Sequence, residues 1–183
     1  MNEFYVVTGW ALRLLQLMVV VYLLYYFKQH RFSLFFGGSA SLKTPEDHKL
    51  HSCFLTAVAC LTFYIISSQV ADFILLSEME RLAKIKIYYF TLVCTGTAFA
   101  ATLYLLHIIR GCQFFPAARY SIYLVLFLVL LNAAQLMLRG YFNNDLLFEV
   151  YGPATVVTNL LEWLIVIKYP FYKFMESRIR QEA

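Results

Sequence analysis

Charged residues are scarce in this chain. Asp, Glu, Lys and Arg make up 14% of its 183 residues, against about 25% in typical soluble domains. Hydrophobic residues reach 61%, whereas their usual share is about 45–50%. These two values exclude an ordinary water-soluble domain and a disordered chain, and they indicate a protein whose solvent is the lipid bilayer.

A long polar stretch is also missing. The longest polar interval runs from Lys28 to Lys49 and is itself interrupted by phenylalanines. It is too short for a separate domain, because domains rarely fall below about 50 residues, so residues 1–183 are predicted to form a single transmembrane domain. The basic residues flank the apolar segments and do not cluster on a soluble face, so nucleic acid is not expected as a partner.

The sequence lacks the common enzyme motifs. No HExxH, GxSxG, P-loop or GxGxxG pattern occurs in it. Zinc hydrolases, serine hydrolases and nucleotide-binding enzymes rely on those patterns, so the chain is predicted not to be an enzyme. Its four cysteines have no CxxC spacing, which argues against a zinc or redox motif. We interpret them as small packing residues.

Five long apolar segments are present instead. A helix needs about 20 apolar residues to cross the hydrocarbon core, and a segment in lipid must satisfy its own backbone hydrogen bonds, as a helix does. The sequence therefore predicts an all-α integral membrane protein, a bundle of five transmembrane helices. The predicted spans are about 4–27, 53–76, 87–109, 120–138 and 153–172.

Local patterns add detail to these spans. The run Thr44–Asp47 combines a capping residue, a proline and two acids, which is typical of a helix start, and Pro153 is predicted in the first turn of the last helix. Residues Arg31–Phe36 suit either a segment lying at the interface or a plain loop. The first span lacks the basic leader and small-residue cleavage site of a signal peptide, so we expect it to remain as an anchor.

The basic residues predict an orientation. The intervals after spans one and three, together with the residues around the end of span five, hold ten Lys and Arg residues, whereas the intervals after spans two and four hold four. By the positive-inside rule the N-terminus lies outside and the C-terminus in the cytoplasm. The basic inner face is expected to contact anionic lipid, and the location is predicted to be a plasma membrane or a bacterial inner membrane.

Polar residues inside the spans are the main functional signal. A charge at the centre of the bilayer costs at least about 2.5 kcal/mol, so each is expected to face a partner or water inside the bundle. Residues three or four apart share one face of a helix, and every span carries such a polar or small face. The predicted intramembrane cluster consists of Arg13, Gln16, Ser68, Gln69, Asp72, Asn132, Gln135, Arg139, Asn159 and Glu162.

The alternating direction of the spans predicts where these groups meet. Arg13 and Glu162 fall near mid-membrane, and most of the others fall in the outer half. We expect the polar groups to converge on one level. The charges balance in sign, so Arg13 with Glu162 and Arg139 with Asp72 are the predicted ion pairs.

Two interpretations of this cluster remain open. The first is an outer cavity that makes the protein channel- or transport-like, acting as a homo-oligomer or beside a partner subunit, because five short spans enclose little volume. The second is a set of interhelical hydrogen bonds that only hold the bundle together. A non-catalytic membrane subunit or anchor that recruits a cytoplasmic partner is the alternative function.

Histidines near the inner boundary suggest one further possibility. His51 opens the second span and His107 lies near the end of the third, so antiparallel helices would bring both to the same depth. Two imidazoles so placed could ligate the iron of haem b, and His48 with His51 could hold a metal ion. The alternative is that they are interfacial histidines with hydrogen-bonded partners, in which case no cofactor is expected.

Overall fold

The computed structural model describes residues 3–26, 42 and 44–182. It contains five long helices: α1 Glu3–Tyr26, α2 Pro45–Leu76, α3 Arg81–Arg110, α4 Pro116–Gln135, and α5 Phe148–Glu182. A π-helical segment, Leu136–Tyr141, continues α4. All five helices are long and apolar enough to cross a membrane, and the described residues contain no strand, so the predicted all-α, five-helix architecture is confirmed. The predicted interfacial segment Arg31–Phe36 lies outside the described residues.

The start of α2 matches the local prediction. The Thr44 backbone N–H donates to the Asp47 carboxylate at 2.9 Å, and the Asp47 N–H donates to the Thr44 hydroxyl at 3.1 Å. This reciprocal capping box satisfies two donors that a helix end would otherwise leave free. With this cap, α2 begins well before residue 53, where the apolar span was predicted to start.

The predicted position of Pro153 is wrong. Helix α5 begins at Phe148, so Pro153 lies inside it, as Pro170 does further along. The Tyr151 N–H already donates to the Leu147 carbonyl at 2.9 Å, which shows that the turn before the proline is helical. The helix also continues beyond residue 172, where the predicted span ends, to Glu182.

The five helices form a closed ring in chain order. Each helix packs against the next one, and α5 packs back against α1. Helix α2 also contacts α4 and α5, so it touches all four of the others. Its first half is rich in small residues, including Ser52, Ala57 and Cys60, and small residues let helix backbones approach closely in a membrane protein.

The apolar core lies at one end of the ring. It combines Leu23 near the end of α1, Phe54 near the start of α2, Leu103 near the end of α3 and Ala118 near the start of α4. We call this end the packed half. The opposite end, where α1, α3 and α5 begin and α2 and α4 end, is called the cavity half.

Helices α3 and α4 are in close contact at Gly96. A Cβ atom built on Gly96 would lie 2.6 Å from Cγ2 of Val129, which is closer than two carbon atoms can approach without repulsion. The absence of a side chain therefore sets the distance between these two helices. Because both residues also border the cavity, the same contact fixes the position of its wall.

Candidate functional site

A cavity of about 630 Å³ lies among the five helices in the cavity half. Every helix contributes to its wall, which on α2 runs from Cys60 to Leu75 and on α5 from Phe148 to Glu162. At about 1.5 Å per residue, the wall is about 20 Å deep. Its volume is in the range of small-molecule sites, about 300–1,000 Å³.

Most of the predicted polar cluster faces this cavity. We call the end of the cavity nearer the packed half its floor and the opposite end its mouth. Gln16 lies just beyond the floor, beside a void of about 10 Å³ that Glu162 also borders. Gln135 and Arg139 do not line it. The predicted residues on the cavity wall are Arg13, Ser68, Gln69, Asp72, Asn132, Asn159 and Glu162.

Glu162 forms the polar floor of the cavity. Its side chain is buried, with a residue exposure of 6%, and its carboxyl oxygen accepts a hydrogen bond from the Cys60 thiol at 3.3 Å. Cys60 is therefore a polar partner as well as a packing residue. Among the described residues no basic side chain pairs with this carboxyl group.

Arg13 does not pair with Glu162, so that predicted ion pair is wrong. The Arg13 guanidinium lies over the indole ring of Trp10, with its central carbon 4.6 Å from the ring centroid. Trp10 is one helical turn nearer the start of α1, so the guanidinium is drawn away from the floor and towards the mouth of the cavity. The cation–π contact with the aromatic face replaces the expected carboxylate.

The predicted single level is also wrong. Glu162 contacts Cys60, and Asp72 lies twelve residues further along the same helix α2, or about 18 Å at 1.5 Å per residue. The acids therefore occupy opposite ends of the cavity, with Glu162 at the floor and Asp72 towards the mouth. The spacing of polar residues along each helix predicted correctly that both acids point inward. Their depth depends instead on how far along its helix each acid lies.

Arg139 pairs with Asp145 and not with Asp72. Its Nε lies 2.6 Å from the Asp145 carboxylate, its guanidinium lies 4.2 Å from the Phe148 ring centroid, and it donates to the Tyr89 hydroxyl at 3.3 Å. The π-helical turn that carries Arg139 is one in which the helix register changes. Asp145 follows in the loop before α5, and this local partner satisfies the arginine without Asp72.

Two buried amides have different surroundings. The Asn132 amide donates to the Leu128 carbonyl at 2.8 Å and accepts from the Tyr151 hydroxyl at 2.7 Å, which joins α4 to α5. The Gln135 side chain is fully buried, and neither of its amide atoms has a described partner. Asn132 is thus a structural link on the cavity wall, whereas no described contact explains Gln135.

Aromatic residues are the part of the wall that the polar pattern did not predict. Tyr64 lies midway between Cys60 and Ser68, four residues from each, and Tyr151 lies four residues before Thr155. The same spacing rule would have found both tyrosines if aromatic residues had been counted. The aromatic residues on the wall are Trp10, Phe63, Tyr64, Tyr88, Phe99, Phe148 and Tyr151.

The charges on the wall do not cancel. Among its described residues, Arg13 is the only base, and Asp72 and Glu162 are the two acids. With both acids ionised the wall carries one net negative charge. A monovalent cation, or one proton, would neutralise it.

The three histidines among the described residues lie at the packed end, and each is hydrogen-bonded within the chain. The His107 Nδ1–H donates to the Leu103 carbonyl at 2.8 Å, and its Nε2 accepts from the Ser52 hydroxyl at 2.9 Å. The Ser52 oxygen in turn accepts from the Phe115 N–H at 3.3 Å. This network links α2, α3 and the start of α4 and engages both ring nitrogens of His107.

The other two described histidines, His48 and His51, are hydrogen-bonded as well. The His51 Nδ1–H donates to the Asp47 carbonyl at 2.6 Å, and His48 Nδ1 accepts from the Gln113 N–H at 3.4 Å. Within the described ranges no group of three His, Cys, Asp or Glu side chains could hold a metal ion. Haem b remains a prediction, and the reduced absorption spectrum of the purified protein tests it.

Cys112, in the turn after α3, is expected to react slowly with alkylating agents at neutral pH. Burial raises the pKa of its thiol to about 11, although nearby Arg110 and a backbone hydrogen bond to Ser52 act in the opposite direction. Because the thiolate is the nucleophile, the iodoacetamide reaction rate should rise about tenfold per pH unit up to about pH 10. Mass spectrometry of the Cys112 peptide measures this rate. The unfolded chain in SDS is the control, and a native rate that levels off near pH 8.5 would contradict the prediction.

Comparison of the chain with protein-family models, with curated proteins and with solved structures gave no match.

Proposed function

We propose that this protein binds a monovalent organic cation in the cavity and carries it across the membrane. The observation that supports this proposal is the composition of the cavity wall, which combines seven aromatic residues with one more acid than base. Aromatic faces attract cations, and a desolvated carboxylate such as Glu162 needs a positive partner. A cation with an apolar body meets both requirements.

The position of the cavity favours a transporter over an open channel. The packed half lies beyond Glu162, and its core residues leave no comparable opening within the described bundle. A solute at Glu162 can therefore reach the other side only if the helices move apart. With the N-terminus outside, as the positive-inside rule predicts, the cavity half is the outer half and the solute enters from outside.

An oligomer is not needed to form this binding site. One chain encloses about 630 Å³ by itself, so too little enclosed volume is no longer a reason to expect several copies. A homo-oligomer or a partner membrane subunit remains a prediction that purified size in mild detergent tests. Anionic lipid at the basic inner face likewise remains a prediction.

Tetraphenylphosphonium is a suitable probe because it is a monovalent cation with an aromatic surface, and tetraphenylborate is its anionic analogue of the same shape. We expect proteoliposomes to bind and take up the phosphonium but not the borate above the level of protein-free vesicles. Selective uptake of the borate would contradict the proposal, because Arg13 would then be the dominant charge.

A pair of tryptophan variants tests whether the cavity is responsible. Val156 lines the cavity, whereas its neighbour Val157 is exposed on the lipid-facing side of α5. Val156→Trp should fill the cavity and abolish phosphonium binding, and Val157→Trp should leave it unchanged. Equal binding by both variants would locate the probe elsewhere. If the wild-type protein itself does not bind the phosphonium, the alternative of an anchor for a cytoplasmic partner is favoured.

A further inference from the structure

Glu162 has no positive partner among the described residues of the bundle, because none of the helices packed around it places a basic side chain beside its carboxyl group. On α1, the Arg13 guanidinium is held over Trp10, and Gln16 is uncharged.

On α2, the group in contact with Glu162 is the Cys60 thiol, and the titratable groups further along this helix are Tyr64 and Asp72. At the level of Glu162, α3 and α4 line the cavity with Phe99 and Val125, which carry no charge.

A carboxylate in this setting is costly when the cavity is empty. One weak thiol hydrogen bond does not replace the water that an ionised carboxylate loses on burial, and within a membrane such a group pairs with a counter-charge or takes up a proton. A proton is the smallest cation that can meet this requirement. The cavity gives it a route to and from Glu162 on one side.

We infer that Glu162 exchanges one proton for each bound cation. The carboxyl O–H bond breaks as the cation arrives, the proton leaves through the cavity to water, and the carboxylate becomes the counter-charge of the cation. The reverse occurs when the cation leaves. This inference rests on the proposed function, and it makes transport of the cation coupled to a proton moving in the opposite direction.

The exchange has a defined pH dependence. Where empty Glu162 holds its proton, the cation must displace it, so affinity should fall about tenfold for each unit of decrease in pH. At higher pH the empty site has already lost its proton, so affinity should become independent of pH and proton release should fall to zero. A group whose protonation is not linked to cation binding does not produce this relation between affinity and released protons.

The experiment is calorimetric titration of the purified wild-type protein with tetraphenylphosphonium, in phosphate and in HEPES at the same pH. These buffers differ in ionisation enthalpy, so the difference between the two binding enthalpies gives the number of protons released. We expect about one proton per cation at the lower pH values. Asp72→Asn should keep this release, because Asp72 lies at the mouth, and Glu162→Gln should remove it.

The outcomes separate the two proposals. Binding that releases no proton at any pH, or release that persists in Glu162→Gln, would overturn the exchange and leave cation binding intact. Loss of release in Asp72→Asn alone would also overturn it, because the proton would then belong to Asp72. Absence of phosphonium binding by the wild-type protein would reject the proposed function itself.

Discussion

Replacement of Glu162 by glutamine is expected to lower the affinity for tetraphenylphosphonium at least tenfold at high pH. The change removes the acid at the floor of the cavity while keeping the size of the side chain. A tenfold loss corresponds to about 1.4 kcal/mol, and desolvated charge pairs contribute about that much or more. Equilibrium binding to the purified protein at a pH where the wild-type site releases no proton measures the effect directly.

Two controls make this result specific to the floor. Glu149→Gln changes an exposed acid in the first turn of the same helix and should leave the affinity unchanged. At a lower pH, where empty Glu162 holds its proton, the unfolding temperature of Glu162→Gln without ligand should equal that of the wild type, because glutamine closely matches a protonated glutamate. A large fall in that temperature, with cation affinity preserved, would make Glu162 a group that only holds the helices together.

The substitution Gly96→Ala is expected to destabilise the bundle by about 1–3 kcal/mol, the usual cost of overpacking. The new Cβ atom would lie 2.6 Å from Val129 Cγ2, so either the Val129 side chain must leave its position or α3 and α4 must separate. Alanine is the better helix former by about 1 kcal/mol, which offsets part of this cost. Thermal unfolding in detergent should show a fall of several degrees.

A second substitution tests the cause of this loss. In Val129→Ala the opposing methyl groups are absent, so adding Gly96→Ala to that variant should cost little or be stabilising. Gly9→Ala is the matched control, because its Cβ would meet only the Tyr64 hydroxyl, at an ordinary 3.8 Å. If Gly96→Ala costs as much in the Val129→Ala variant as in the wild-type protein, the close helix contact is not its cause.

Helical periodicity predicted the inward faces well and the partners poorly. Ser68, Asp72 and Asn159 were predicted to face the interior from their spacing, and all three line the cavity. Spacing works here because three- and four-residue intervals put side chains on one face whatever the surroundings. The ion pairs failed because Arg13 and Arg139 found an indole ring and Asp145 nearby, and such contacts depend on side-chain direction.

Helix ends show the same division. The capping box at Thr44 was predictable because its hydrogen bonds join residues three apart. Pro153 was misplaced because its preceding turn contains Glu149 and Gly152, which lowered the apolar signal although the backbone there is helical. Hydrophobicity indicates which segment is apolar enough to lie in a bilayer, but it does not indicate the residue at which the helix begins.

The sequence by itself determined the apolar character of the chain, the number of long helices and, for most of the predicted polar residues, the helix face that points inward, because these depend on composition and on spacing along one chain. Only the tertiary structure decided that the helices form a ring that is packed at one end and open at the other. The reason is physical: small residues along the first half of α2 draw its neighbours together, whereas at the other end the same five helices leave about 630 Å³ between them. The proposed role of Arg13, Asp72 and Glu162 depends on this cavity, and the cavity exists only because five helices pack around it.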